Sequence, residues 1–481
     1  MGTRRGYAGR VRGMKTQNGS PERRGNGLWA GAIFVILFTL FWILRQESYW
    51  SDARHLIRGV AEGNLRRHHF AYPSIGIGFH RITEVFGNTD PKLALQLLSV
   101  LSGATAGALL FLTARRLGFD RIPSLAGVAL AILSPVGLFY STCVEVHALQ
   151  LAFACGAGYW AACTHERAPR SALVAAVFLS LILGSHMAGL LWGPAILAFL
   201  VWDGSSLRRP RHLVAGILVL IAAAVAWRLA NPGLGHGTAH VSRGLRELLK
   251  VARPELFWGA IIRPMGVLPL LAILATLTLR GHFRERLRRP LLLATAILFG
   301  CMLPFAATLD VLERGGYYIT LLVPFGLMAC HAIQNSRWWV RKLAPLAILL
   351  QLYFAGRQYY EWEYAYPGAD WIPALQEETA DSGIVIAREL WEWEAIQFHT
   401  GLTGISPSMP QRPQSTLASR GEEVIVRLMR ARLRLGEALG VTRNFWESED
   451  PLEERWQELL RDNFGEPKAG KRPEYLLFET P

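Results

Sequence analysis

Asp52 is the acidic residue whose surroundings are best suited to chemistry. It follows the first apolar span, 28–44, by eight residues and lies in the segment Ser48-Tyr-Trp-Ser-Asp-Ala-Arg-His55. The segment Arg67-His-His-Phe-Ala-Tyr-Pro73 begins fifteen residues later. A carboxylate close to a membrane, followed by basic and aromatic side chains, is suited to chemistry on a lipid-linked anionic substrate. The alternative is a loop aspartate in an exposed ion pair, which contributes little to stability.

Three more polar residues lie at the ends of apolar spans. Glu145 occupies a very short connection, where a carboxylate at membrane depth needs a partner or a wet cavity. His186 follows small residues at the end of another span, and Arg314 can hold a phosphate through two hydrogen bonds. Taken singly, they are also explained as an interfacial glutamate, a capping histidine and a snorkelling arginine. Together with Asp52, they indicate a site built from loops over a rigid helical scaffold.

The composition predicts a polytopic membrane protein. The chain has 481 residues, of which 51% are hydrophobic, and they fall in blocks near the roughly 20 residues that cross a bilayer as a helix. We therefore predict about eleven spans. They are expected near 28–44, 93–113, 122–142, 146–163, 171–186, 188–202, 212–230, 264–279, 290–309, 316–335 and 338–355.

The net charge of +14 does not indicate nucleic-acid binding. Residues 1–355 carry 37 Lys and Arg against 15 Asp and Glu, whereas residues 356–481 carry 14 against 22. The basic excess therefore belongs to the membrane part, where it concentrates in short loops that alternate with nearly uncharged ones. Under the positive-inside rule, the N-terminus is cytoplasmic, and Asp52 and the C-terminal region lie outside.

Three regions follow along the chain. Residues 1–27 read as a disordered basic cytoplasmic tail, 28–355 as the transmembrane domain and 356–481 as a small extracytoplasmic domain. The expected fold class is an all-α polytopic membrane protein with a C-terminal α/β domain. In that domain we predict strands at Ile384–Ala387 and Tyr475–Phe478, and helices at Glu422–Leu439 and Pro451–Asn463. It has no Gly-rich phosphate loop and no metal motif.

Four segments carry a resemblance to a known family. Asp52 with His69-Phe-Ala-Tyr-Pro73 resembles the Asp…His-Pro-Pro-Gly-Tyr-Pro pattern of GT-C glycosyltransferases, and specifically of the protein O-mannosyltransferase-like subgroup. The other three segments are similar to that subgroup in order and spacing, and the resemblance covers roughly residues 28–335. They are Tyr140-Ser-Thr-Cys-Val-Glu-Val-His-Ala-Leu149, Leu183-Gly-Ser-His-Met-Ala-Gly-Leu190 and Glu313-Arg-Gly-Gly-Tyr-Tyr318.

The resemblance implies transfer of a sugar from a polyprenyl-phosphate donor to a hydroxyl of a protein, lipid or glycan, on the outer side of a bacterial-type plasma membrane. Asp52 is then the catalytic acid of the first loop. Inverting transfer needs a base for the acceptor hydroxyl and positive groups for the departing phosphate. Asp52 fits the first role, and Glu145 either shares it or joins Asp52 as a ligand of a divalent metal ion. The residues expected to bind the donor phosphate are His69, Tyr72, His147, His186 and Arg314.

Two other classes of protein compete with this interpretation. A transporter or lipid flippase is expected to carry ionisable residues at mid-membrane and to show internal repeats. Here the charges lie at the ends of the spans, and no repeat is visible. A non-catalytic assembly protein working through its C-terminal domain would not need four polar outer connections.

The orientation is testable with reporter fusions. A reporter enzyme that is active only outside the membrane should be active when fused after Pro481 and inactive after Arg288, because short basic loops stay in the cytoplasm. Both fusions are compared at matched membrane levels. The opposite pattern would reverse the assigned topology.

Overall fold

The structure is a computed structural model that describes most of the chain. It describes residues 21–46, 53–64, 71–164, 170–186, 210–230, 263–279, 316–335, 338–364, 371–379, 383–388, 392, 396, 402–405 and 422–478.

The chain folds into two compact units. The first comprises Met1–Arg45 and Gly59–Gly356, and the second comprises Gln46–Arg58 and Arg357–Pro481. The second unit therefore combines the C-terminal region with a short piece of the segment that follows the first apolar span.

Helices account for almost all of the described residues between Pro21 and Tyr364. In chain order they are α1 (Pro21–Ile43), α2 (Ala53–Ala61), α3 (Ala71–Val85), α4 (Pro91–Arg116), α5 (Arg121–Ile132), α6 (Pro135–Thr142), α7 (Val146–Thr164), α8 (Arg170–Ser185), α9 (Pro210–Ala230), α10 (Arg263–Met265), α11 (Leu268–Leu279), a 3₁₀ helix (Gly316–Leu321), α12 (Leu322–Asn335) and α13 (Trp338–Tyr364). Helices α4 and α7 lie at the centre, since α4 packs on α1 and α7, and α7 packs on α8.

Within the described residues, three helices are long and apolar enough to cross a membrane. They are Gly25–Ile43, Pro91–Arg116 and Gly316–Asn335, and α5 with α6 adds a fourth if that bent pair counts as one span. The predicted number of about eleven is therefore not confirmed. The expected spans at 188–202 and 290–309 lie outside the described residues.

The span predicted over 122–142 is not one straight helix. The chain forms α5 and α6 instead, bent by 66° relative to each other. Pro135 has no N–H to continue the helix, and Ser134 starts a new one by accepting a hydrogen bond from Gly137 N–H at 3.2 Å. Serine followed by proline at the first helical position is a typical helix start. The bend sets the direction of α6 and of the connection after it.

A five-stranded mixed sheet forms the core of the second unit. The strands are β1 (Gly383–Ile386), β2 (Thr403–Ile405), β3 (Ala438–Thr442), β4 (Lys468–Ala469) and β5 (Tyr475–Phe478), in the order β2-β1-β3-β5-β4. β1 is parallel to β2 and β3, whereas β5 is antiparallel to β3 and β4. The helices of this unit are α14 (Trp371–Thr379), α15 (Glu422–Arg434), α16 (Arg443–Trp446) and α17 (Pro451–Phe464).

The sequence located four of these nine elements, and not all of their ends. The predicted strands at 384–387 and 475–478 and the helix from Pro451 are confirmed within a residue. The helix predicted to reach Leu439 is wrong beyond Arg434, because Gly436 adopts φ +77° and ends it. The chain then re-enters the sheet as β3, where Leu439 and Val441 are buried in the core between the sheet and the helices.

Candidate active site

The structure describes four of the seven predicted site residues. Tyr72, Glu145, His147 and His186 are described and buried. Asp52, His69 and Arg314 lie outside the described residues, so their assigned roles stay predictions.

Glu145 lies in the tight connection between α6 and α7. Its Oε2 accepts a hydrogen bond from Val146 N–H at 3.0 Å, and the side chain is 4% exposed. The first N–H groups of a helix are unpaired within the helix and carry partial positive charge, so the start of α7 favours a carboxylate here. The local fold therefore holds Glu145 inside the protein rather than leaving it in water.

His147 is the centre of a cluster of aromatic rings. The ring centroid of Tyr140 is 4.6 Å away, that of His186 5.4 Å and that of Tyr317 6.0 Å. His186 and Tyr317 are also in contact, at 4.6 Å. We call Tyr140, His147, His186 and Tyr317 the His–Tyr cluster.

Four separate elements supply the His–Tyr cluster. Tyr140 lies on α6 and His147 in the first turn of α7. His186 directly follows α8, with its N–H donating to the carbonyl of Ile182 at 3.0 Å. Tyr317 lies in the 3₁₀ helix that begins two residues after Arg314 along the chain. The predicted His147 and His186 are thus brought together, beside the segment that follows the predicted Arg314.

Gly316 allows this close approach. A Cβ at this position would lie 2.6 Å from His147 Nε2 and 2.7 Å from the Tyr140 hydroxyl. Only a residue without a side chain leaves room for both rings, so glycine is required here by packing.

The hydrogen bond of His147 assigns its tautomer. Its Nδ1 lies 3.3 Å from Gln150 Oε1, one turn along α7. An amide oxygen only accepts hydrogen bonds, so Nδ1 carries the proton in the neutral ring and Nε2 is left as the acceptor.

Tyr72 links the first interhelical segment to Glu145. It lies on α3, outside the helices that qualify as spans, and its side chain is fully buried. Burial raises the pKa of Tyr72 above its ordinary value, and the Glu145 carboxylate raises it further. The Tyr72 hydroxyl therefore stays protonated and can donate a hydrogen bond to an anion.

Sequence reasoning missed three residues of this site, although each lies in a segment that it singled out. Tyr140 opens one of those segments, and Gly316 and Tyr317 lie in another. Aromatic and small residues are a weaker indication of chemistry than ionisable residues, so the sequence alone did not single these three out. Among the described residues, no group of three His, Cys, Asp or Glu side chains could hold a metal ion.

Comparison with known proteins finds similarity in both sequence and fold. Residues 77–227 match the family model for dolichyl-phosphate-mannose-protein mannosyltransferase. Comparison with curated protein sequences finds no match.

The fold is similar to those of two solved membrane proteins. For ArnT from Cupriavidus metallidurans bound to undecaprenyl phosphate, the TM-score is 0.60 at 12% identity, covering 94% of this chain and 98% of that one. For the Archaeoglobus fulgidus oligosaccharyltransferase in complex with Zn and sulfate, it is 0.53 at 13% identity, covering 88% and 71%. The shared fold extends over nearly the whole chain.

The packing at Gly316 predicts the effect of a single methyl group. Gly316→Ala should lower the free energy of unfolding by about 1–3 kcal/mol, because the added carbon forces His147 or Tyr140 to move. Thermal unfolding in detergent measures this loss. Gly356→Ala is the matched control, since a Cβ there meets nothing within 4 Å, and it should not destabilise. Equal melting temperatures for the two variants would show that the cluster is loosely packed.

Proposed function

We propose that the chain is a membrane glycosyltransferase of the GT-C type, which transfers a sugar from a polyprenyl-phosphate donor to a hydroxyl acceptor on the outer side of the membrane; the matching family model and the similar folds support this proposal. The acceptor is a protein, a lipid or a glycan. One observation carries the proposal: three of the four segments singled out for this chemistry meet in the His–Tyr cluster.

The relatives support the nature of the donor. The similar ArnT structure holds undecaprenyl phosphate. An archaeal oligosaccharyltransferase of the same fold, AglB from Archaeoglobus fulgidus, was solved with an inhibitory peptide and a dolichol-phosphate, with a TM-score of 0.51 at 12% identity, covering 92% of this chain and 72% of that one. Both lipids are polyprenyl phosphates, so a donor of the same chemical class is the natural proposal for this chain.

The proposed reaction is a single inverting displacement. Asp52 accepts the proton of the acceptor hydroxyl while that oxygen forms a bond to the anomeric carbon of the sugar. The bond from the anomeric carbon to the phosphate oxygen breaks, and its electron pair leaves with the lipid phosphate. Cationic and hydrogen-bonding groups stabilise this anion, with Arg314 and His69 assigned to that role from the sequence.

The described residues add donors for the phosphate and a second carboxylate. Tyr72 keeps its proton and can donate to a phosphate oxygen, and His147 and His186 lie side by side where a shared anion could bind. Glu145 is buried at the start of α7 and either assists Asp52 as a base or joins it as a ligand of a divalent ion. Buried groups of this kind act more strongly than in water, because the surroundings screen charges poorly.

The experiment that tests the proposal replaces the proposed base. Asp52→Asn should leave membrane levels and folding unchanged and remove most sugar transfer, by about a hundredfold or more, because an amide cannot take the proton. Transfer is measured with radiolabelled polyprenyl-phosphate sugars and a membrane-extract acceptor. Asp90→Asn is the control, as Asp90 caps α4 at the surface. Turnover near that of the unmodified protein in Asp52→Asn would refute the assignment.

Donor binding is a separate readout for the phosphate groups. Arg314→Ala and His186→Ala should each weaken binding of a polyprenyl phosphate by about tenfold, because a charge-assisted hydrogen bond in a partly dry site contributes about 1.5–3 kcal/mol. Binding is measured by quenching of tryptophan fluorescence in detergent. Lys92→Ala, near the exposed start of α4, serves as the control for loss of charge alone. Unchanged affinity in both test variants would assign Arg314 and His186 to structure only.

A further inference from the structure

We infer that Gln351 is a positioning residue, whose side-chain amide holds two interrupted helices together and thereby places Tyr140 in the His–Tyr cluster. Gln351 lies on α13 and is fully buried. The inference concerns the placement of α6 and goes beyond the proposed reaction, since it holds whichever chemistry the cluster serves.

The first interruption is the bend between α5 and α6. In a continuous helix the carbonyl of Leu130 would accept a hydrogen bond from the N–H of Ser134. Here the Ser134 N–H donates to the carbonyl of Ala131 instead, at 3.3 Å. The Leu130 carbonyl accepts from Gln351 Nε2 at 2.9 Å. The glutamine thus supplies the donor that the bend removes.

The second interruption separates α10 from α11. The helical partner of the Met265 carbonyl would be the N–H of residue 269, which is a proline and has none. Gln351 Nε2 donates to this carbonyl at 3.0 Å. Gln351 Oε1 accepts from Val267 N–H at 2.8 Å, while the Val267 carbonyl already accepts from Leu271 at 3.2 Å. One side-chain amide therefore supplies hydrogen-bond partners to backbone groups at the end of α10 and just before the start of α11.

The chemistry of the three bonds requires an amide at position 351. Both amide hydrogens are donated to carbonyls, and the amide oxygen accepts an N–H. A carboxylate lacks the two donors, and an apolar side chain lacks all three groups. Backbone groups left unpaired in apolar surroundings are costly. Gly266, at φ +64°, completes the fit, because a Cβ there would overlap the amide oxygen and lie 2.9 Å from its carbon, Cδ.

The position of the His–Tyr cluster follows from this arrangement. The helix α6 begins at the bend and carries Tyr140, whose ring contacts His147 at 4.6 Å. Cys143 follows the end of α6 and is fully buried. If Gln351 fixes the bend, then loss of its amide should free α6 and expose Cys143 before the rest of the fold opens.

Site-resolved cysteine labelling tests the inference without any sugar donor. The full-length protein in detergent is treated with N-ethylmaleimide, and labelling of each cysteine is followed by mass spectrometry. In Gln351→Met, which keeps the side-chain size but removes the three hydrogen bonds, Cys143 should react about tenfold faster. Cys155, buried in the middle of α7, should react at an unchanged rate. Gln351→Glu should accelerate Cys143 at least as much, because its buried carboxylate would face the carbonyl oxygens of Leu130 and Met265 without the two donors.

A second variant and a control keep the test decisive if Gln351→Met does not fold. Gly266→Ala retains the glutamine but displaces its amide, so it should also accelerate Cys143 selectively. Leu349→Ala, on an exposed face of α13, should change neither rate. Equal acceleration of labelling at Cys143 and Cys155 would mean that Gln351 only stabilises the whole fold. An unchanged labelling rate at Cys143 in the folded variants would mean that Gln351 does not hold α6. Because labelling needs no donor, either result is independent of the sugar-transfer test.

Discussion

The requirement that every buried backbone N–H and C=O has a partner governs the first unit of this protein. In lipid or in an apolar interior no water is at hand to pair with these groups, so a helix can be interrupted only where other groups replace its lost bonds. At the bend before α6, the Ser134 side chain and the Gln351 amide do so. The short helix that results turns the chain by 66° and leads directly into the connection containing Glu145. Without these replacements, α5 and α6 would continue as one straight helix, and Tyr140 would not lie in the His–Tyr cluster.

The His–Tyr cluster combines groups whose chemistry depends on one another. Two imidazoles and two phenols are packed against one another, and Glu145 is buried at the start of the helix that carries His147, in surroundings that screen charges poorly. An anion entering such a place gains from protons donated by the imidazoles and phenols and is repelled by Glu145.

The sequence identified polar residues of the candidate site more readily than the geometry that brings them together. The polar residues at the ends of spans were identifiable, because ionisable groups are rare among apolar blocks and stand out. The bend at Ser134–Pro135 was missed, although both residues are helix-start signals, because the apolar block continues through it without a break. The strand at 438–442 was missed because its apolar residues continue the periodicity of the preceding helix. Nothing in the sequence indicated the role of Gln351, because its partners are backbone groups far away in the chain, those of Leu130, Met265 and Val267.

The division of the chain between the two units has a consequence for how the protein is made. The chain leaves the first unit after Arg45, contributes residues to the second, returns at Gly59 and leaves again after Gly356. During synthesis, Gln46–Arg58 emerges early but cannot complete its unit until the residues after Arg357 have been translated. Contacts between residues so far apart in the chain form late and slow the folding of a protein. This segment therefore remains without its partners in the second unit while the intervening part of the chain, from Gly59 to Gly356, is synthesised.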